Sequence, residues 1–589
     1  MCGIAGIIRL RPDINIKSDI EQMSGSLAHR GPDDQGYFIR DNIALSHRRL
    51  SIIDLATGLQ PMSSIDQKIW IVYNGEIYNF LEIKSILISK NYSFRTTSDT
   101  EVIINSYIEW GENCVEKFRG MFAFSIVDYR IGKIFLARDH MGMKPLFFAH
   151  TPDFFAFASE LQAFKHIHDF TPKININSID KYLRLQYIPA PDTIFKEIKK
   201  MKPAHRLSIS FEGKISEQDE YWKLNFLPQN NKTKEDWVAE AEYVIKDSVK
   251  SHLISDVPFG AFLSGGIDSS LVVSYMTQIL NKPVKTFSIG FEESSFNELE
   301  YASIVSNKWN TEHYSEVVKP NVLGILPELV RHFGEPFGDS SAIPTYYVSK
   351  MARKKVPMVL SGDGGDELFA GYQSYKNWMQ LTDKNYPFWK KMMYPFAHKI
   401  YPHRFPSRKH ELESWLDIIS YFHTKQRSKL WKREWHLNLD NSMDLFEYEY
   451  LRAKEFSDLS KVQYLDLKTY LPNDILVKVD TSSMIHGLES RSPLVDYKVA
   501  EFAATVPSSI YVGSNPNELI NGKFILKEIL KKNFPENFIN RKKMGFGVPV
   551  KNWVSSESIW IETMNEKLLS RDSLLNQFFN HQYIKYIIN

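Results

Sequence analysis

Cysteine is nearly absent from this sequence, which carries only Cys2 and Cys114. Two thiols cannot build a disulfide framework or a thiolate zinc site, and their scarcity fits a reducing compartment, so the cytoplasm is the expected location. No run approaches the roughly 18 apolar residues that a membrane span needs. The opening MCGIAGIIRL lacks both the basic start and the sustained apolar stretch of a secretory signal. Excess charge is missing as well. Against 72 basic side chains stand 70 acidic ones, a formal +2, so no global field draws the chain toward phosphate backbones or anionic lipid. Nucleic acid as a partner and a membrane span are thereby set aside, which leaves small molecules, with assembly as a homodimer left open. With 43% apolar and 24% charged residues the composition is that of a chain folded throughout, and 589 residues exceed what one core supports.

What is present falls into two patterns. From 1 to about 160, short β-rich runs such as IALSHRRLSIID, KIWIVYNGEIYN and FAFSIVDYR alternate with turns, and helical stretches near 17–28 and 99–110 interrupt them. This reads as an α+β domain with sheet packed on sheet. Proline-containing polar segments between about 185 and 235 read as connector, which divides the chain into 1–210 with linker and 235–589. In the second unit Trp237, Ala241, Val244, Ile245 and Val249 fall at helical spacing, and Pro258 to Leu263 suits a buried strand. Strand and helix then alternate, which predicts an α/β doubly wound domain with ligands at the carboxyl ends of parallel strands, followed by a helical C-terminal part from about 375.

Near the start, chemistry concentrates around Cys2. With Met1 removed, the free α-amino group sits on the same residue as the thiol and serves as its base. A thiolate attacking an amide creates an oxyanion that needs fixed donors, and YNGEIYN at 73–79 offers the Asn74 amide and the Gly75 N–H. Arg49 can grip a carboxylate by its fork while Glu76 and Asp99 hold an ammonium. Singly, each has a bland reading: Asn-Gly is a hairpin turn and the charges are surface groups. Together with HRGPDDQG at 29–36 and RDHMGMKPLFF at 138–148, the set resembles class II glutamine amidotransferases, the N-terminal-nucleophile family, over about the first 160 residues. The resemblance implies an N-terminal-nucleophile sandwich in which Cys2 attacks the side-chain amide of glutamine. Asn74 and Gly75 would form the oxyanion hole, and Arg49, Ile52, Ile53, Asn74, Glu76 and Asp99 would hold the substrate.

In the second unit FLSGGIDSS, 262–270, is a strand running into a Gly-Gly turn and a helix start, a cradle of N–H groups for pyrophosphate. No G-x-x-x-x-G-K-[ST] occurs, so γ-phosphate transfer of the P-loop kind loses support. The segment resembles the PP-loop of ATP pyrophosphatases, which implies AMP transfer. VLSGDGGDELFAGY at 359–372 adds Asp363, Asp366 and Glu367, and carboxylates beside phosphate call for a cation, with Asp268 and Asp366 the expected Mg²⁺ ligands. Farther on stand Lys478, Asp480, Glu489, Arg491 and Lys543, whose cations are expected near the α-phosphate.

All these segments in this order resemble glutamine-hydrolysing asparagine synthetases across roughly 1–555. The resemblance implies ATP and Mg²⁺, with ATP contacted by Leu263, Ser264, Gly265, Gly266, Asp268, Ser269, Ser270, Ile289, Ser361 and Gly362. It also places Asp363 where the acyl adenylate forms and Lys543 as an aid to that step. The family often has Glu at 363 and Ala at 365, and the shorter Asp363 bears on the acceptor pocket. Two rival readings keep part of this machinery: amidation of a sugar acid or peptide carboxylate, and a glutaminase whose ATP site is vestigial. The basic, aromatic stretch 386–410 reads as a solvated helical insert, with a membrane-surface or partner patch as its alternative.

Overall fold

The computed structural model describes residues 2–11, 15–293, 297–319, 321–382, 411–436, 439, 443–511, 521–541, 547–548, 553 and 558–588. Lys543 and the stretch 386–410 lie outside them. Two six-stranded antiparallel sheets form the first half. One contains β1 (Gly3–Arg9), β2 (Asp34–Arg40), β3 (Ile43–Arg49), β8 (Phe147–His150), β9 (Phe154–Ala158) and β10 (Ile198–Lys200), in the order β10-β8-β9-β1-β3-β2. The other contains β4 (Met62–Ser63), β5 (Ile69–Ile77), β6 (Gly120–Asp128), β7 (Lys133–Arg138), β11 (His205–Ser210) and β12 (Asp219–Glu220), in the order β12-β11-β7-β6-β5-β4.

Period-two alternation sets the layers, because successive strand side chains point to opposite faces. In β1, Ile4 and Ile8 enter the core between the sheets with Leu45, Val72, Val127 and Phe157. Ala5 and Ile7 turn outward against Ile20 and Met23 of α1 (Ile16–Ser26). Across the other sheet, α2 (Phe80–Ser89) and α3 (Asp99–Trp110) bring Phe80, Ile83, Val102 and Ile103 onto Ile71, Phe122 and Phe124. The result is a four-layer helix–sheet–sheet–helix sandwich. Part of the expected connector is sheet: His205–Ser210 and Asp219–Glu220 extend the second sheet, with Leu207 and Ile209 in the core between the layers. Their short, polar-flanked alternation conceals strands at the edge of a sheet. The connector also carries α4 (Ile176–Leu185), whose Asn175 side chain caps it by accepting from the Asn177 N–H.

The second half is built on five parallel strands, β13 (Phe259–Phe262), β14 (Lys285–Gly290), β15 (Glu312–Val317), β16 (Met358–Leu360) and β17 (Glu489–Arg491). Their order, β15-β14-β13-β16-β17, reverses direction between β13 and β16, and such a switch point opens a crevice at the strands' carboxyl ends. Around the sheet pack α5 (Lys234–His252), α6 (Ile267–Leu280), α7 (Leu299–Trp309), α8 (Val322–Phe333) and α9 (Ala342–Arg353). Helix α5 starts on a capping box between Thr233 and Asp236 and buries Trp237, Ala241, Ile245 and Val249, four of the five residues whose spacing predicts it. No described helix is long and apolar enough to cross a membrane.

The halves meet along a seam of buried charge. Arg30 reaches Glu160 at 2.9 Å and Asp480 at 2.8 Å, and Arg119 reaches Asp247 and Asp496, both at 2.7 Å. Because Trp237 is fully buried in the second core, its replacement by Ala should cost about 3–5 kcal/mol. A fall in the denaturant midpoint of the second half checks this, and an unchanged midpoint would contradict the packing described.

Candidate functional site

Cys2 stands just before β1, the strand with neighbours on both sides at the middle of its sheet. Its backbone nitrogen donates to Asn74 Oδ1 at 2.8 Å, which joins the end of β1 to β5 in the facing sheet, and its thiol lies 3.9 Å from the Leu50 carbonyl oxygen. Burial pushes the thiol above its ordinary pKa, so it rests protonated at neutral pH and needs a base to become a nucleophile. Asn74 itself is fully buried. Its oxygen is occupied by Cys2 while its Nδ2 has no hydrogen-bond partner among the described residues. A buried donor left open beside a thiol is what an oxyanion would use.

Arg49 ends β3, and the loop that follows folds back around its guanidinium. The carbonyls of Ile53 and Leu55 accept from it at 3.3 Å, and that of Asp54 accepts as well. Among the described residues no carboxylate lies within ion-pair distance of this buried cation, so its charge stays available for an incoming anion. Asp99, in the first turn of α3, accepts from the Tyr73 hydroxyl at 2.9 Å and the Ile77 N–H at 3.0 Å. Burial nevertheless pushes its carboxyl up to about 6. Glu76 is buried beside it, and burial holds its carboxyl well above the usual range while Arg491 pulls the other way.

The second cluster sits at the switch point. Leu263 to Gly266 link β13 to α6, whose N-cap is Gly266. Gly265 has φ +72°, and a Cβ there would lie 2.5 Å from the Tyr301 carbonyl carbon, so only glycine fits this turn. The Ser264 hydroxyl accepts from the Gly266 N–H at 3.2 Å and meets Ser269 Oγ at 3.1 Å, which fixes the loop ahead of the helix dipole. The loop after β16 packs directly against it. A Cβ on Gly362 would sit 2.6 Å from the Ser269 nitrogen, and one on Gly365 would sit 2.4 Å from Asp268 Oδ1. The glycine at 365, where the resembled family often has alanine, thus lets the Asp268 carboxylate lie against the backbone of the neighbouring loop.

Asp268 and Asp366 converge on one point: both pair with the Lys523 ammonium, Asp366 at 2.9 Å. Two carboxylates focused on a single buried position fit a cation there, and the pair holds the lysine's pKa above its ordinary value despite burial. Asp363 is half-buried and faces Lys478, which pairs with Asp339 at 3.1 Å.

The cation set expected near the α-phosphate needs correction. Lys478 belongs to that region, but Asp480 pairs with Arg30 in the seam, and Glu489 with Arg491 turns toward Glu76. Sequence spacing could not reveal this, because β17 lies at the sheet edge against the other half of the chain. Lys523 and Arg541 were not anticipated. Arg541 Nη2 donates to the Gly265 carbonyl at 2.8 Å, and its guanidinium lies 3.7 Å from the Tyr301 ring centre, which puts a cation against the phosphate-type loop. Its only sequence signal is its place in NRKKMGFG.

Comparison with known proteins agrees with this two-part layout. A glutamine amidotransferase domain family matches residues 1–222, and the asparagine synthase family matches residues 240–589. Asparagine synthetase [glutamine-hydrolyzing] 1 of Bacillus subtilis is 35% identical over 99% of this chain and 93% of its own length. A putative asparagine synthetase of Methanocaldococcus jannaschii is 40% identical over 64% of this chain and 76% of its own length. The amidase chyE of Penicillium rubens is 26% identical over 92% of this chain and 86% of its own length. With matches that span both halves, the chain belongs to the family of glutamine-hydrolysing asparagine synthetases.

Proposed function

We propose that this protein makes L-asparagine from L-aspartate, drawing nitrogen from L-glutamine and converting ATP to AMP and diphosphate through a β-aspartyl-AMP intermediate. The observation that carries the reading is the divided Asn74 amide, whose oxygen fixes Cys2 while its nitrogen stays open and buried. That arrangement, in one chain with a strand-end phosphate cradle, supports release of ammonia at one site and its capture at the other.

With Met1 removed, the Cys2 nitrogen, which donates a hydrogen bond to Asn74 Oδ1, becomes a free amine, and it takes the thiol proton as sulfur attacks the glutamine amide carbon. The oxyanion is met by Asn74 Nδ2 and the Gly75 N–H, the protonated α-amine returns its proton to the amide nitrogen so that ammonia leaves, and water then cleaves the thioester to give glutamate and the free thiol. Arg49 binds the α-carboxylate, Asp99 binds the ammonium, and Ile52 and Ile53 line the pocket. At the other site the phosphates lie over the amides that open α6, within reach of Ser264, Ser269, Ser270, Ser361 and Gly362. Leu263 and Ile289 at the strand ends support the nucleoside. Asp268 and Asp366 would hold Mg²⁺, which screens the charge of the departing diphosphate. The aspartate β-carboxylate attacks the α-phosphorus and diphosphate leaves; ammonia then attacks the acyl carbon beside Asp363 and AMP leaves, with Lys543 assisting adenylation.

Ammonia released into water is mostly protonated at neutral pH, which argues for a sheltered route between the sites. A cavity straddles the seam in a suitable place, walled by Met143 and Leu146 from the first half and by Phe333 and Leu476 from the second.

Replacing Cys2 with Ala should abolish asparagine formation from glutamine while leaving formation from ammonium salts intact, with AMP as the spent nucleotide in both. Nitrogen transfer from glutamine by that variant, or ADP as product, would overturn the reading. Asn74→Ala should lower glutaminase kcat by about 10²–10³. Asp99 sets a pH limit. Its raised pKa means the carboxylate charge is lost as pH falls through about 6, so kcat/KM for glutamine should drop about tenfold per unit below that point. Asp99→Asn should bind glutamine weakly and remove that limb, and a limb that survives the substitution would assign it to another group.

A further inference from the structure

Arg491 has a place in both sites. Its main chain belongs to the nucleotide crevice: it pairs in register with Leu360, its carbonyl accepts from the Ser361 N–H at 2.8 Å, and the adjacent Ser492 hydroxyl lies 2.9 Å from Ser361 Oγ. Ser361 is one of the residues assigned to ATP. The side chain points the opposite way, into the glutamine half. Nε donates to Glu489 Oε1 at 2.6 Å, and one terminal nitrogen donates to the carbonyls of His252 at 2.9 Å and Ile254 at 2.6 Å. The other terminal nitrogen lies 3.4 Å from Glu76 Oε1 and makes no hydrogen bond to a described residue. Arg491 and Glu489 are both wholly buried.

Two of these grips lead to the glutamine pocket. Glu76 follows Asn74 and Gly75 in β5, so whatever moves it moves the oxyanion donors. The segment from His252 to Asp256 backs the loop that wraps Arg49: the Asp256 N–H donates to the Ile52 carbonyl at 3.0 Å, and the Asp54 N–H donates to Asp256 Oδ2 at 2.8 Å. One guanidinium therefore holds the wall carrying the oxyanion donors and, through four residues of chain, the loop carrying the carboxylate grip. The 3.4 Å approach to Glu76 is longer than a charge-assisted hydrogen bond, which leaves room for it to close.

We propose that Arg491 is a positioning residue that couples the two sites: nucleotide seated on the Ser361 loop draws Arg491 toward Glu76 and tightens the pocket for glutamine. The proposal rests on the two-site reading above. Fork geometry is essential to it, because Glu489, the two backbone carbonyls and Glu76 engage the three separate nitrogens of one rigid plane, which lysine cannot reproduce. Coupling of this kind is reciprocal, so glutamine tightens ATP by the same factor that ATP tightens glutamine.

Calorimetric titration of the full chain in a Cys2→Ala background, where glutamine is not consumed, tests this. Glutamine is titrated with and without Mg·ATP in the absence of aspartate. We expect Mg·ATP to lower the glutamine Kd at least about fivefold, the lower end of ordinary coupling, and Arg491→Lys to bring that ratio close to one while ammonia-dependent synthesis in the Cys2 protein persists. A ratio near one with Arg491 intact, or an undiminished ratio in Arg491→Lys, overturns the coupling while leaving the two-site reading in place. Absence of glutamine binding under every condition overturns both. If Arg491→Lys fails to fold, Glu76→Gln serves instead, since it removes the charge toward which Arg491 is drawn, and the readout is the ratio of glutamine Kd values rather than the affinity itself. An undiminished ratio there refutes the proposal, and a reduced one supports it.

Discussion

The structure depends on burying arginines in the seam between its halves, each paired with at least one carboxylate from the other half. Arg30 belongs to the first half and pairs with Glu160 there and Asp480 across the seam; Arg119 takes both of its acids, Asp247 and Asp496, from the second half. Arg491 reverses the arrangement, with Glu489 beside it and Glu76 across. Desolvating such groups is expensive, and removing one member of a buried set costs about 3–5 kcal/mol because a charge is stranded. Separation of the halves would strand several at once. These sets therefore specify how the halves dock, whatever net stability they contribute, and the docking brings Arg491 of the second half's sheet against Glu76 of the first half.

Much of the fold was legible because its signals are local. The spacing of Trp237, Ala241, Ile245 and Val249 is set by one helix packing on one core, and alternation of strand and helix after Pro258 follows from parallel pairing. The same holds for the site residues read from the sequence. Asn74 and Glu76 lie in one strand, and Ser264, Asp268 and Ser269 lie in one turn, so chain order brings them together before any tertiary contact forms.

Illegible parts were those decided by the other half of the chain. Arg491 reads as a phosphate cation from its neighbours in sequence, and only the packing of β17 against the first half turns it toward Glu76. Lys523 has no motif around it; it matters because, as the N-cap of the helix Phe524–Lys531, it is packed against Asp268, more than 250 residues away in sequence. The strands at 205–220 were hidden for a related reason. β12 is the two-residue edge strand and β11 the six-residue strand beside it, and such short, polar-flanked segments resemble a linker until their partner strands are known.

The same seam also bears on what can pass between the sites. Among the described residues three carboxylates, Glu160, Glu335 and Asp480, line the cavity there, and each already has a cation: Arg30 for Glu160, Lys200 for Glu335, and Arg30 with Lys144 for Asp480. Arg138 adds a further buried cation whose donors are all directed at backbone carbonyls. A wall of this kind offers no uncommitted negative charge to an ammonium ion, which would shed its hydration without compensation on entering. Neutral ammonia suffers no such penalty and finds apolar surface at Met143, Leu146, Phe333 and Leu476. The charge pairs that fix the docking therefore also favour the one protonation state of the nitrogen that can act as a nucleophile on an acyl adenylate.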